Sequence, residues 1–210
     1  MPSDRGGRAQ PRAAGGLPKY RVVQLNETSL RLLGRLPQPG ERLATRPFSV
    51  PPARNATSPL TRASMDDGLV LMATLPNLGR YVRAAHLLDF EKRLTGRLGE
   101  FRTVHVSTDE ASIWAEFNHF HPGLAAEGYS LFDADEETVS GFGLSFGVAL
   151  EGHGRIAHGL FALLNGVFVA AEVPFDQLDV TGVEPFLDRV ERLLAARLPV
   201  PSDPAAVGAP

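Results

Sequence analysis

The chain has 210 residues, 43% of them apolar, with 21 Lys and Arg against 24 Asp and Glu and no cysteine. This length and apolar content fit one domain with a substantial core. The near-neutral charge gives no electrostatic argument for nucleic acid or an anionic membrane. Lacking cysteine, the chain cannot form disulfides, use a thiolate or ligate zinc through sulfur.

The first segment, 1–19, is rich in Gly, Pro, Ala and Arg without hydrophobic period. Such a composition buries too little to offset its ordering entropy, so a disordered tail is expected. It also lacks the apolar stretch of a secretory signal, and a cytoplasmic location follows as the default. Residues 20–25 alternate as a strand, and 29–33 can pair back across Asn26, Glu27 and Thr28. LPQPG at 36–40 is a turn. Residues 48–50 form a short strand stopped by Pro51 and Pro52, and the Pro-rich stretch to Leu60 reads as a surface excursion. GLVLMAT at 68–74 is a continuous apolar run, the signature of a strand covered on both faces. Pro76, Asn77 and Gly79 interrupt the pattern, and 80–98 follows at helical spacing.

FRTVHVS at 101–107 is a second strand, then Thr108 and Asp109 form an N-cap region. A short helix over 111–118 turns Ile113, Trp114 and Phe117 to its buried side. A strand at 129–132, a helical turn at 136–142 and a strand at 145–149 follow. Asn165-Gly166, between apolar runs at 156–164 and 167–173, is the strongest hairpin signal, because both residues tolerate positive φ. Thr181 caps a helix over 183–198 with Val183, Phe186, Leu187, Val190, Leu193 and Leu194 on one face. The remainder, 199–210, reads as a second disordered tail. Neither 69–75 nor 156–164 approaches the roughly 20 residues needed to span a bilayer. The order β-α-β-α, ending in a hairpin and a helix, predicts an α/β domain over 20–198: a central mixed sheet with helices on both faces.

This arrangement resembles the thioredoxin-like fold as elaborated in the peroxiredoxins, in particular the bacterial thiol peroxidases. NETSLRLLGRLPQPGERLATRPFSV at 26–50 looks like that group's N-terminal β-hairpin and the approach to its core. Leu75-Pro76 looks like the start of the motif Pro-x-x-x-Thr-x-x-Cys. FGLSFGV at 142–148, AHGLFAL at 157–163 and Val173-Pro174 after the Asn-Gly hairpin resemble later segments. The resemblance implies a homodimer and a peroxidatic cysteine, but the catalytic set is nearly gone. Pro76 matches the family proline. Arg80 replaces the threonine, Arg83 replaces the attacking cysteine, and His158 falls where an arginine would lower that cysteine's pKa. The resolving cysteine maps near Asn118. A guanidinium has no lone pair with which to attack peroxide oxygen, so the chain is expected to be inactive as a thiol peroxidase, with no catalytic residue and no cofactor assigned.

Other chemistry is weighed on the residues. Arg80 and Arg83 fall at i and i+3 in a first helical turn, where free N–H groups already favour anions. They predict an anion site in the former peroxide pocket with Asn77, Arg155 and His158 in support. The bland alternative leaves both arginines solvated or paired with Asp66, Asp67 or Asp89. His119 and His121 would share a face in a strand, and Glu127 could join them around a metal. Pro122-Gly123 argues for a loop instead, and no metal site is assigned. DADEE at 133–137 reads as a solvated helix start, and the Gly-x-Gly sequences at 141–143 and 152–154 as loops. Trp114, Phe117 and Phe120 are core or interface. The leading expectation is a binding or interaction protein, with a protein or a small anion as partner. Anion sensing through Arg80 and Arg83, or non-thiol chemistry with His158 or His119 as acid/base, stands as the alternative.

Overall fold

The alternation of the first apolar residues sets a hairpin in place. Strands β1 (Arg21–Leu25) and β2 (Thr28–Leu33) pair antiparallel, with Leu25 opposite Thr28 and Asn26 at a positive φ of 53°. Short strands β3 (Ser49–Val50), β4 (Pro52–Arg54) and β5 (Leu60–Thr61) follow, then β6 (Leu69–Leu75). Next come β7 (Arg102–Ser107), helix α1 (Ala111–Phe120), β8 (Glu127–Ser130) and helix α2 (Glu136–Phe146). The last elements are β9 (Ala149–Leu150), β10 (Gly159–Leu164), β11 (Val167–Glu172) and helix α3 (Val183–Ala195). The computed structural model describes residues 21–78, 91–94, 100–152, 154–178 and 183–196. The predicted tails, the Thr181 cap and most of the predicted helix over 80–98 lie outside the described residues, but 91–94 is helical.

Six strands form the central sheet in the order β11-β10-β6-β7-β8-β4. β6, β7 and β8 run parallel, and β10, β11 and β4 are antiparallel to their neighbours. All seven residues of β6 are buried. The period of two sends Leu69, Leu71, Ala73 and Leu75 to one face and Val70 and Met72 to the other. The first face packs on Trp114 and Phe117 of α1 and on Phe186, Leu187 and Val190 of α3. The second packs on Phe142 and Phe146 of α2, with Phe48, Phe161 and Phe168. The predicted mixed sheet with helices on both faces is thus observed. The hairpin is also observed, as part of a separate sheet ordered β1-β2-β9.

Three local readings are corrected. The Pro-rich stretch is not a surface excursion: Pro52–Arg54 forms the edge strand β4 against β8, and Val50, Arg54 and Leu60 are buried. An edge strand tolerates proline because one of its sides makes no ladder bond. The region 136–146 is one helix, and the strand expected over 145–149 is reduced to β9 at Ala149–Leu150. Gly141 and Gly143 lie inside it because Pro47 and Ala149 pack where their side chains would be. The helix ends at Gly147, φ 65°, whose N–H is shared by the carbonyls of Gly143 and Leu144. Finally, α1 runs on through His119 and Phe120, and its N-cap is Glu110, which makes no side-chain capping bond. The acidic run behaves as expected: Asp135 caps α2 through Thr138 N–H at 2.6 Å, with Glu136 and Glu137 in the first turn.

Candidate functional site

The parallel strands β6, β7 and β8 end together, with Leu75 opposite Ser107 and Ser107 opposite Ser130. Ligands in open α/β sheets bind beyond such carboxyl ends. Pro76 is held there by the Thr108 hydroxyl, which donates to its carbonyl at 2.6 Å, and the Asp109 carboxylate accepts the Leu78 N–H. Asp109 is therefore an anchor of the Pro76 turn rather than the cap of α1. Asn77 sits half-buried within this turn. His158 is buried one residue before Gly159, which pairs with Thr74 of β6. Its backbone N–H donates to Gln177 Oε1 at 2.6 Å, and the Thr74 hydroxyl donates to the neighbouring Ala157 carbonyl at 2.8 Å. The fold so brings the strand end carrying Pro76 and Asn77 alongside the segment carrying His158.

Arg155 is placed differently. It is exposed, and its carbonyl accepts from Leu150 N–H at 3.0 Å on the turn after β9. Arg80 and Arg83 lie outside the described residues. The other histidines are separated by the helix: consecutive residues turn by about 100° in α1, so His119 and His121 do not share a face as they would in a strand. Glu127 is committed elsewhere, accepting from Arg102 Nε at 2.9 Å and from the Tyr129 hydroxyl at 2.5 Å. Among the described residues no group of three or more metal-ligating side chains forms.

The described polar groups that the sequence reading missed form a row across the sheet. Arg54 of β4, Gly128 of β8, His105 of β7 and Ala73 of β6 are cross-strand neighbours. Trp114 lies over the glycine, where a Cβ would come within 2.6 Å of its ring. Arg54 is 5% exposed and donates to Asn118 Oδ1 at 3.1 Å and to the Leu124 carbonyl at 2.5 Å. Asn118 thus serves as a hydrogen-bond acceptor for a buried guanidinium. His105 is fully enclosed, with Nε2 at 3.3 Å from Glu91, a residue that also accepts Ala126 N–H at 3.0 Å. Burial lowers the His105 pKa against the opposing pull of Glu91, so the ring is neutral near pH 7. Burial and the Glu127 carboxylate push the Tyr129 phenol up to about 12. His105 alternates with Val104 and Val106 and shares its phase with Thr103 and Ser107, so the period of FRTVHVS did not mark it; it is buried because both faces of β7 are covered there. Arg54, in a Pro-rich stretch, gave no signal either.

No family model and no curated protein matches the chain by sequence. Solved structures match it by shape. A thiol peroxidase from Chromobacterium violaceum superposes with a TM-score of 0.66 at 18% identity, covering 83% of this chain and 96% of that one. A peroxiredoxin-like protein from Aquifex aeolicus gives 0.66 at 18%, covering 82% and 97%. Mycobacterium tuberculosis AhpC gives 0.58 at 13%, covering 79% and 98%. The chain has the thioredoxin-like fold of the peroxiredoxins. It carries that fold without a cysteine.

Proposed function

We propose that this chain is a peroxiredoxin-fold protein that binds a partner instead of reducing peroxide. One observation carries this reading: the sheet of a peroxiredoxin-like fold is packed on both faces among the described residues, while the chain contains no thiol. Peroxide reduction by a cysteine needs a sulfur nucleophile that accepts oxygen, and arginine and histidine nitrogens do not replace it. The Pro76 turn, with Asn77, lies alongside the segment that carries His158. Arg80 and Arg83 belong to the same proposal as donors for an anionic group on whatever binds there.

The surface near this edge supports association. Phe132 follows β8 at the carboxyl end of the sheet and is 57% exposed. Large exposed aromatics are favoured at interfaces, and a second copy of the chain is the simplest partner. Among the described residues no helix is long and apolar enough to cross a membrane.

The test combines two measurements on the purified full chain. Consumption of hydrogen peroxide and cumene hydroperoxide with dithiothreitol is expected to equal the buffer blank. Sedimentation velocity is expected to give a species at twice the chain mass, converted toward monomer by Phe132→Ser. Turnover above the blank would overturn the inactive assignment. A monomer at all concentrations would overturn self-association through this edge.

A further inference from the structure

A concavity lies at the other end of the sheet from Pro76. It has a volume of about 670 Å³ and opens where β7 and β8 begin, between Lys92 on the helical 91–94 segment and the loop 121–126. Its size suits a small organic molecule. One wall is apolar, made by Phe101, Leu124 and Ala125. That loop is fixed from behind: Arg54 donates to the Leu124 carbonyl, and the Asn55 amide donates to the carbonyls of Leu124 at 3.1 Å and Ala126 at 3.2 Å. A wall tied to a buried guanidinium is largely preformed, which lowers the ordering cost of binding.

The charges of the cavity are not equally available. Both carboxylates in its lining are already engaged, Glu91 by the Ala126 N–H and His105, and Glu127 by Arg102 and the Tyr129 hydroxyl. Arg102 approaches Oε2 of Glu127 at 2.9 Å through Nε and at 2.7 Å through a terminal nitrogen, so the two charges offset one another. The Lys92 ammonium, the His121 ring nitrogens and the Thr103 hydroxyl line the same cavity and make no side-chain hydrogen bond or ion pair among the described residues. Each acid of this cavity therefore already has a donor, while Lys92, His121 and Thr103 have no acceptor among the described residues. An ammonium ligand would compete with Arg102 and His105 for its acceptors, whereas a carboxylate meets donors without rivals.

We infer that this cavity binds a small amphipathic carboxylate, its chain against Phe101, Leu124 and Ala125 and its anionic head toward Lys92, His121 and Thr103. The site is remote from the Pro76 edge, so carboxylate binding is separable from self-association and from the lack of peroxide turnover.

Isothermal titration of the full chain with hexanoate, at constant ionic strength in chloride, tests it. Saturable binding is expected, weakened roughly tenfold or more by Lys92→Gln, as for loss of one charge-assisted contact. Ala125→Trp, which fills the cavity from an exposed position, is expected to abolish binding. Both variants should melt at the parent temperature, since neither position is buried. Absence of saturation in the millimolar range would overturn the inference. So would hexylamine or methyl hexanoate binding as tightly as hexanoate, or a Lys92→Gln variant that binds hexanoate like the parent.

Discussion

At the residue scale, His105 shows how a single buried polar group ties stability to pH. Its ring is 1% exposed, and the charged groups facing it are Glu91 from the helical 91–94 segment and Arg54 from β4. Burial disfavours the imidazolium, Glu91 favours it and Arg54 disfavours it, and the balance leaves the pKa below 6.5. The unfolded chain takes up a proton below about pH 6.5 while the folded chain does not. Stability from this residue is therefore present above about pH 6.5 and is lost as pH falls below it. Urea unfolding at about pH 7.5 and about pH 5.5 is expected to show a lower midpoint in acid, and a smaller drop for His105→Gln. An equal drop in the variant would place the acid sensitivity elsewhere.

Secondary elements in this chain are positioned by small residues as much as by large ones. β8 can pass between Arg54 and His105 under Trp114 only because position 128 has no side chain. A Cβ there would meet the Trp114 ring at 2.6 Å and the Arg54 Cβ at 2.9 Å. Gly128→Ala is expected to cost about 1–3 kcal/mol by overpacking, read as a lower urea midpoint at unchanged m-value. Parental stability would mean that Trp114 is not seated on β8. The same logic explains the misread α2. Its glycines imitate a loop in the sequence, yet they mark where the helix backbone approaches Pro47 and Ala149. Glycine signals both freedom and close approach, and one-dimensional pattern does not separate the two.

For the whole molecule, the two core clusters share one sheet. β6 contributes Leu71 to one and Met72 to the other, so neither can be lost without exposing the back of the other. Unfolding should therefore be a single transition, with Trp114 fluorescence and far-ultraviolet circular dichroism coincident in urea. Separate midpoints would show that the two faces melt independently.

The sequence by itself determined what repeats or is missing over short distances. The buried run of β6, the alternating β7, the Asn165-Gly166 turn at φ 51° and 71°, and the amphipathic α3 each follow from local period or from a backbone angle few residues accept. The absence of a sulfur nucleophile was equally plain. Only the tertiary structure decided which polar residues meet. Arg54 and Leu124 are 70 residues apart in the chain and Glu127 reaches Arg102 across 25. Strand order made Arg54, Gly128 and His105 a row, and placed a donor-rich cavity at the end of the sheet away from Pro76. Period reports which face a residue occupies within its own element. Which elements lie side by side is set by burial summed over the whole chain, and no short stretch of sequence contains that sum.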